Sequence, residues 1–129
     1  MKLAYLAKLN RIIWIIAAVT WASLIFVFSS QSLPILTPGW LELPIIDKVV
    51  HACVFGILGI FLFLATKRTW LAIIIASFYG ATDEWHQLYV DGRIADLWDW
   101  VADIVGTITA VCLLSLYRNK LRERVKWNP

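Results

Sequence analysis

Charge is scarce in this chain. Of its 129 residues, 16% are Asp, Glu, Lys or Arg and 60% are hydrophobic, giving a mean hydropathy of +0.72. A soluble domain this short could not hide so much apolar surface, whereas lipid solvates it directly. Cysteine is nearly absent too. Cys53 and Cys112 fall in apolar runs at different expected depths and read as small hydrophobes, not as a disulfide or a metal pair. Repeats, low-complexity tracts and long linkers are missing, so residues 1–129 form one domain. No small-residue cleavage site follows the first apolar run, which is also long for a signal-peptide core, so this run is expected to stay. The alternating rhythm of barrel strands is lacking as well, which leaves helices to satisfy the backbone in hydrocarbon.

What the chain does have is four apolar runs, at residues 12–28, 49–65, 70–82 and 101–117. Each is shorter than the roughly 20 residues a helix needs to cross a bilayer, so their polar ends belong to the helices as well. The charges between them are sorted. Lys2, Lys8, Arg11, Lys67, Arg68, Arg118, Lys120, Arg122, Arg124 and Lys126 lie beyond alternate ends of the runs, with Glu123 as their one acidic companion. Glu42, Asp47, Asp83, Glu84, Asp91, Asp96, Asp99 and Asp103 lie beyond the opposite ends, with Lys48 and Arg93. This pattern predicts an all-α integral membrane bundle of four transmembrane helices, both termini cytoplasmic, with a polar site at the outer face.

Tryptophan follows the same boundaries: Trp40, Trp85, Trp98 and Trp100 outside, Trp14, Trp70 and Trp127 inside, with only Trp21 in mid-span. The pI near 9 is then a cytoplasmic-lipid signature and not one of nucleic-acid binding. The basic segment 118–129 reads as a cytoplasmic tail, helical and lying at the lipid surface. Pro34, Pro38, Gly39 and Pro44 interrupt the first outer segment, and Asp91-Gly92 marks a turn before the fourth helix.

Polar side chains gather at the outer end of every helix. Asp47 and His51 share a face of the second helix. On the third, Asp83, His86 and Gln87 share one face while Glu84 points elsewhere. Asp96, Asp99 and Asp103 form a stripe on the fourth, with Gly106 one turn deeper to admit a neighbouring helix. Ionisable groups at this depth are costly and tend to have a task. Asp47 and Asp96 also complement helix dipoles, which makes them the weakest functional candidates.

Several chemistries fit the pattern. His51 or His86 could act as acid-base, oriented by Asp83 or Asp103. A bound metal would draw on His51, Asp83, His86 and Asp103, although no HExxH spacing occurs. Ser29, Ser30 or Ser32 as nucleophile competes with the capping role usual for serines at a helix end. Arg93 can either grip a phosphate or carboxylate, or neutralise Asp96 or Asp99. A purely structural vestibule, with these groups pairing among themselves, accounts for most of them equally well.

Four motifs occur in order: Ser29-Ser30-Gln31-Ser32, Asp47-Lys48 with His51, Tyr79-Gly80 with Asp83-Glu84 and His86-Gln87, and Gly92-Arg93 with Asp96, Asp99, Asp103 and Gly106. Together they resemble the VanZ-like family over residues 26–106. One departure is Asp91, where the family usually has proline before Gly-Arg. The family's founding member gives low-level resistance to the glycopeptide teicoplanin, so the resemblance implies an envelope role in a bacterial plasma membrane. On this reading His51, Asp83, His86 and Asp103 are the catalytic candidates, and Gln31, Lys48, Glu84, Gln87, Arg93 and Asp99 contact substrate. The expected ligand is an outer-leaflet amphiphile, such as a lipid-linked cell-wall precursor or a lipoglycopeptide, bound or modified at its headgroup. The alternative is a structural or regulatory subunit whose acidic cluster docks a partner. Membrane lipids are expected partners and oligomers are compatible. No cofactor is specified.

Overall fold

Four helices carry the described residues: α1 (Lys2–Ser29), α2 (Pro44–Thr66), α3 (Thr69–Gln87) and α4 (Leu97–Trp127). The computed structural model describes residues 2–31 and 44–127, with side chains at 8–31 and 45–124. No strand occurs among the described residues. The readings placed on Ser32, Pro34, Pro38, Gly39, Trp40, Glu42 and the Trp127 side chain lie outside what is described. Three helices, α1, α2 and α4, are long and apolar enough to cross a membrane. The 19-residue α3 carries Asp83 and Glu84 in its last turns. As expected, the helices outrun the apolar runs and include their polar ends.

The basic tail is helical, as expected, and continues α4 through Trp127 without a break. At 31 residues α4 extends about 47 Å, well beyond a hydrocarbon layer of about 30 Å.

Helix α2 is the centre of the bundle. It packs most extensively on α4 and also meets α1 and α3, whereas α1 touches α3 lightly and, among the described residues, α4 not at all. Small residues allow the α2–α4 contact: a Cβ at Gly106 would overlap the Ala52 carbonyl. On α3, Ala72, Ala76 and Gly80 recur every fourth residue and are buried.

Side chains that donate to main-chain carbonyls tie four of the five helix pairs that touch. Trp21 Nε1 donates to Val54 O at 3.0 Å (α1–α2), and the Tyr79 hydroxyl to Ala22 O at 2.6 Å (α3–α1). Trp100 Nε1 donates to Ser77 O at 2.9 Å (α4–α3), and the Thr107 hydroxyl to Phe55 O at 3.1 Å (α4–α2). Such bonds substitute for hydrophobic driving force where the surroundings are as apolar as the side chains. Trp21 is thereby explained. Trp100, expected at the outer boundary, turns inward, while Trp85 and Trp98 are exposed. The outward faces are apolar, as in Ile13, Ile16 and Val19 of α1, Ile74 and Phe78 of α3, and Leu113 and Leu116 of α4.

The α2–α3 turn is tight. Lys67 takes a left-handed conformation, φ 60°, and its N–H donates to Phe63 O at 2.8 Å. The α3–α4 link runs through successive turns, with Gly92 at φ 80°, so the Asp91-Gly92 turn is where the sequence places it.

Candidate functional site

The polar ends of all four helices meet at one end of the bundle. Lys48, in the first turns of α2, reaches the start of α4: Nζ lies 2.6 Å from Asp96 Oδ2, 2.5 Å from Asp99 Oδ1 and 3.4 Å from Asp47 Oδ2. Asp96 is the N-cap of α4, its Oδ1 accepting the Trp98 N–H at 2.9 Å. The hydrogen bond from Lys48, then that from the Trp98 N–H, hold its carboxyl below the usual carboxylate range. Asp96 is thus accounted for structurally, as the dipole argument expects.

One turn deeper, His51 Nδ1 meets Asp103 Oδ1 at 3.0 Å, linking α2 to α4. Asp103 is 1% exposed, and its second oxygen, Oδ2, has no hydrogen-bond partner. Oδ2 sits over Gly80 of α3, where the missing Cβ makes room for it. Glu84, one helical turn along from Gly80, enters the same space, on a different face of α3 from Asp83, His86 and Gln87, as expected. Its Oε2 accepts the Asp96 N–H at 2.8 Å, and Oε1 is buried without a partner. His51, Glu84 and Asp103 each present a ligand atom within 4.8 Å of the others. An imidazole and two carboxylates can hold a divalent cation, or the two acids can share a proton. Asp47, His51 and Asp99 form a second such group. The set expected for a metal is therefore not brought together: His51 and Asp103 meet, but with Glu84, and not with Asp83 and His86.

Asp83 and His86 face α1 instead. Asp83 is 4% exposed; Gln87 Nε2 donates to its Oδ2 at 3.3 Å, and the Ser29 hydroxyl faces it without closing a hydrogen bond. His86 stacks on Phe26 at 4.5 Å between centroids, with Nε2 2.8 Å from Ser30 Oγ. The Ser30 hydroxyl also lies 2.6 Å from Phe26 O, which can only accept. A serine hydroxyl has one proton, so Ser30 donates to Phe26 O and accepts from His86. This is the reverse of an activated nucleophile, and the serine-enzyme reading loses its geometry there.

Among the described residues Arg93 does not pair with Asp96 or Asp99. Its Nε donates to Gln31 O at 3.1 Å and its NH2 to Phe28 O at 3.0 Å. The guanidinium caps the open carbonyls at the end of α1. Gln31 contributes its main chain, and its side chain is exposed.

Between α1, α2 and the end of α3 lies a cavity of about 370 Å³. Trp21, Leu24, Ile25 and Phe28 form its α1 wall, and Val50, Val54 and Phe55 its α2 wall. Ser29, Asp47, His51, Asp83, Gln87 and Arg93 line its polar end. Leu24, Phe28 and Val50, at its rim, are exposed on the lateral surface. Composition alone cannot reveal this cavity, because its walls look like any lipid-facing stripe.

No solved structure matches the chain. An uncharacterized protein of Schizosaccharomyces pombe is 33% identical over 92 residues, a stretch covering 67% of this chain and 57% of that relative's length. The chain therefore spans little more than half of the curated relative it matches. The family model described as VanZ/LLP1 matches residues 10–118 and so takes in α1 to α4 and every polar side chain of the site. A helical membrane protein with this site, the chain belongs to the VanZ/LLP1 family.

Proposed function

We propose that the protein binds an amphiphile from the outer leaflet of a bacterial plasma membrane, seating its apolar part between α1 and α2 and its polar head at Asp47, His51 and Asp83. In this reading all four helices span, both termini are cytoplasmic and the cavity opens sideways into lipid. The observation that carries it is the cavity's division into an apolar wall and a polar end with side access.

The two cations at this end are already engaged, Lys48 by Asp96 and Asp99, Arg93 by the end of α1. The polar end therefore favours a head rich in donors (amine, amide or hydroxyl) over one recognised through its anion. Teicoplanin and lipid-linked cell-wall precursors both carry such groups. Docking of a partner by the acidic cluster is less suited to the geometry, because Asp83, Glu84, Asp99 and Asp103 are buried.

If the ligand is also modified, His51 oriented by Asp103 is the group positioned for proton transfer. The test is native mass spectrometry of gently extracted protein beside an Asp83→Asn variant, followed by titration of both with teicoplanin. Retention of an amphiphile by the parent and its loss in the variant supports the reading. Equal, empty spectra together with no teicoplanin binding by either protein would sink it, and recovery of a stoichiometric protein partner would favour the docking alternative.

A further inference from the structure

At the opposite end of the bundle, the α2–α3 turn and α4 enclose a second recess of about 300 Å³. Its polar lining is Lys67, Thr69, Ser115, Arg118, Asn119 and Arg122. The chemistry is the reverse of the first cavity: three cations and three neutral hydrogen-bonding side chains, with no carboxylate. Among the described residues none of these cations is within ion-pair distance of an acid. The Arg118 guanidinium lies 5.6 Å over the Phe63 ring, which fixes its plane.

Three features here oppose folding when considered alone. Lys67 occupies a left-handed backbone position that glycine would adopt without strain. Burial, and then the nearby Arg118, push its ammonium below the usual lysine range. Helix α3 starts at Thr69 with no side-chain cap, leaving its first amides and the positive end of its dipole open beside the recess. An anion would offset all three at once, and strain at a charged residue is a recognised mark of a binding position.

We propose that this recess binds a phosphate group, carried by an anionic phospholipid headgroup or by free phosphate. Arg118 supplies a flat fork suited to two phosphate oxygens, Lys67 a point charge, and Thr69, Ser115 and Asn119 neutral donors. Basic recesses between membrane helices are suited to such headgroups. The proposal does not depend on what the first cavity holds.

Lys67→Gly separates binding from folding, because it removes the charge and relieves the backbone together. Thermal unfolding of the full chain in a neutral detergent would be followed with phosphatidylglycerol, inorganic phosphate or chloride added at equal ionic strength. Parent protein is expected to gain about 5 °C or more with a saturating phosphate-bearing probe. Lys67→Gly is expected to melt higher than the parent without probe, yet to lose most of that gain. Arg118→Gln is expected to lose the gain as well, and it covers the case in which Lys67→Gly fails to fold. A gain with phosphatidylglycerol alone assigns a lipid headgroup, and an equal gain with inorganic phosphate assigns the free ion. No gain with either probe, or the full gain kept by either folded variant, overturns the site.

Discussion

The two oxygens of Asp103 meet different helices: Oδ1 is 3.0 Å from His51 Nδ1 on α2, while Oδ2 rests over Gly80 of α3 without a partner. One buried carboxylate thus holds the register of α2 and α4 and presents an unused acceptor to α3. The relationship is asymmetric in its consequences: without His51 the 1% exposed Asp103 has nothing to solvate it, whereas the His51 side chain is 18% exposed.

His51→Leu strands Asp103 with no donor, and a buried polar or charged group without its partner is expected to cost about 3–5 kcal/mol. The double change His51→Leu, Asp103→Leu is expected to recover most of that stability. Denaturant unfolding in micelles checks both. A double variant no more stable than the single one would show that the pair is not the unit argued here.

A Cβ on Gly80 would stand 2.9 Å from Asp103 Oδ2 and 3.2 Å from Trp100 Cδ1. Gly80→Ala is therefore expected to destabilise by about 1–3 kcal/mol. It should also displace the carboxylate from His51, read as a changed imidazole resonance in NMR. An unchanged resonance would place the carboxylate's freedom elsewhere.

Arg93→Lys should not substitute for the guanidinium, since one ammonium cannot reach both Phe28 O and Gln31 O in the same fork. Faster hydrogen exchange is expected at the amides of Ser29, Ser30 and Gln31, with little change in α4. Had Arg93 instead served Asp96 or Asp99, the exchange would rise at the start of α4.

Asp96 has its carboxyl held below the ordinary range by Lys48 and the Trp98 N–H. A lowered folded-state pKa favours the folded protein only while the group is ionised. The stabilisation is present in full above the unfolded value, about pH 4, and is lost as pH falls through the folded value. Melting of the parent between pH 6 and 3 should therefore show an acid loss that Asp96→Asn lacks. Parallel curves would remove Asp96 from the acid response.

Much of this was legible before any coordinates. Gly106 announced a close helix contact because only a missing side chain explains a glycine among aspartates and aliphatics, and Ala52 supplies the contact. The polar end was legible from charge sorting, since carboxylates cluster at alternate helix ends. The separate face of Glu84 was legible as well, but not what it meets there, because a helical wheel shows which residues share a face but not how many neighbours a helix has. Helix α3 has α1 on one side and α4 on another, so Asp83 and His86 serve the first while Glu84 serves the second. The capping contact of Arg93 was not legible for a related reason. Charges are visible in a sequence, whereas open carbonyls at the end of α1 are created only by folding.

Among the described residues α1 and α4 do not touch, which makes the bundle a three-helix post with one side wall. That wall is held in two ways: by hydrogen bonds to main-chain oxygens, those of Ala22, Phe28 and Gln31 on α1 and of Val54 on α2, and by Ala18 and Ile25 buried against Phe55, Leu58 and Ala76. A carbonyl recurs at every residue and tolerates a shift of register, whereas the packed side chains do not. The interlocked middle of α1 therefore sets where the wall stands beside the polar end.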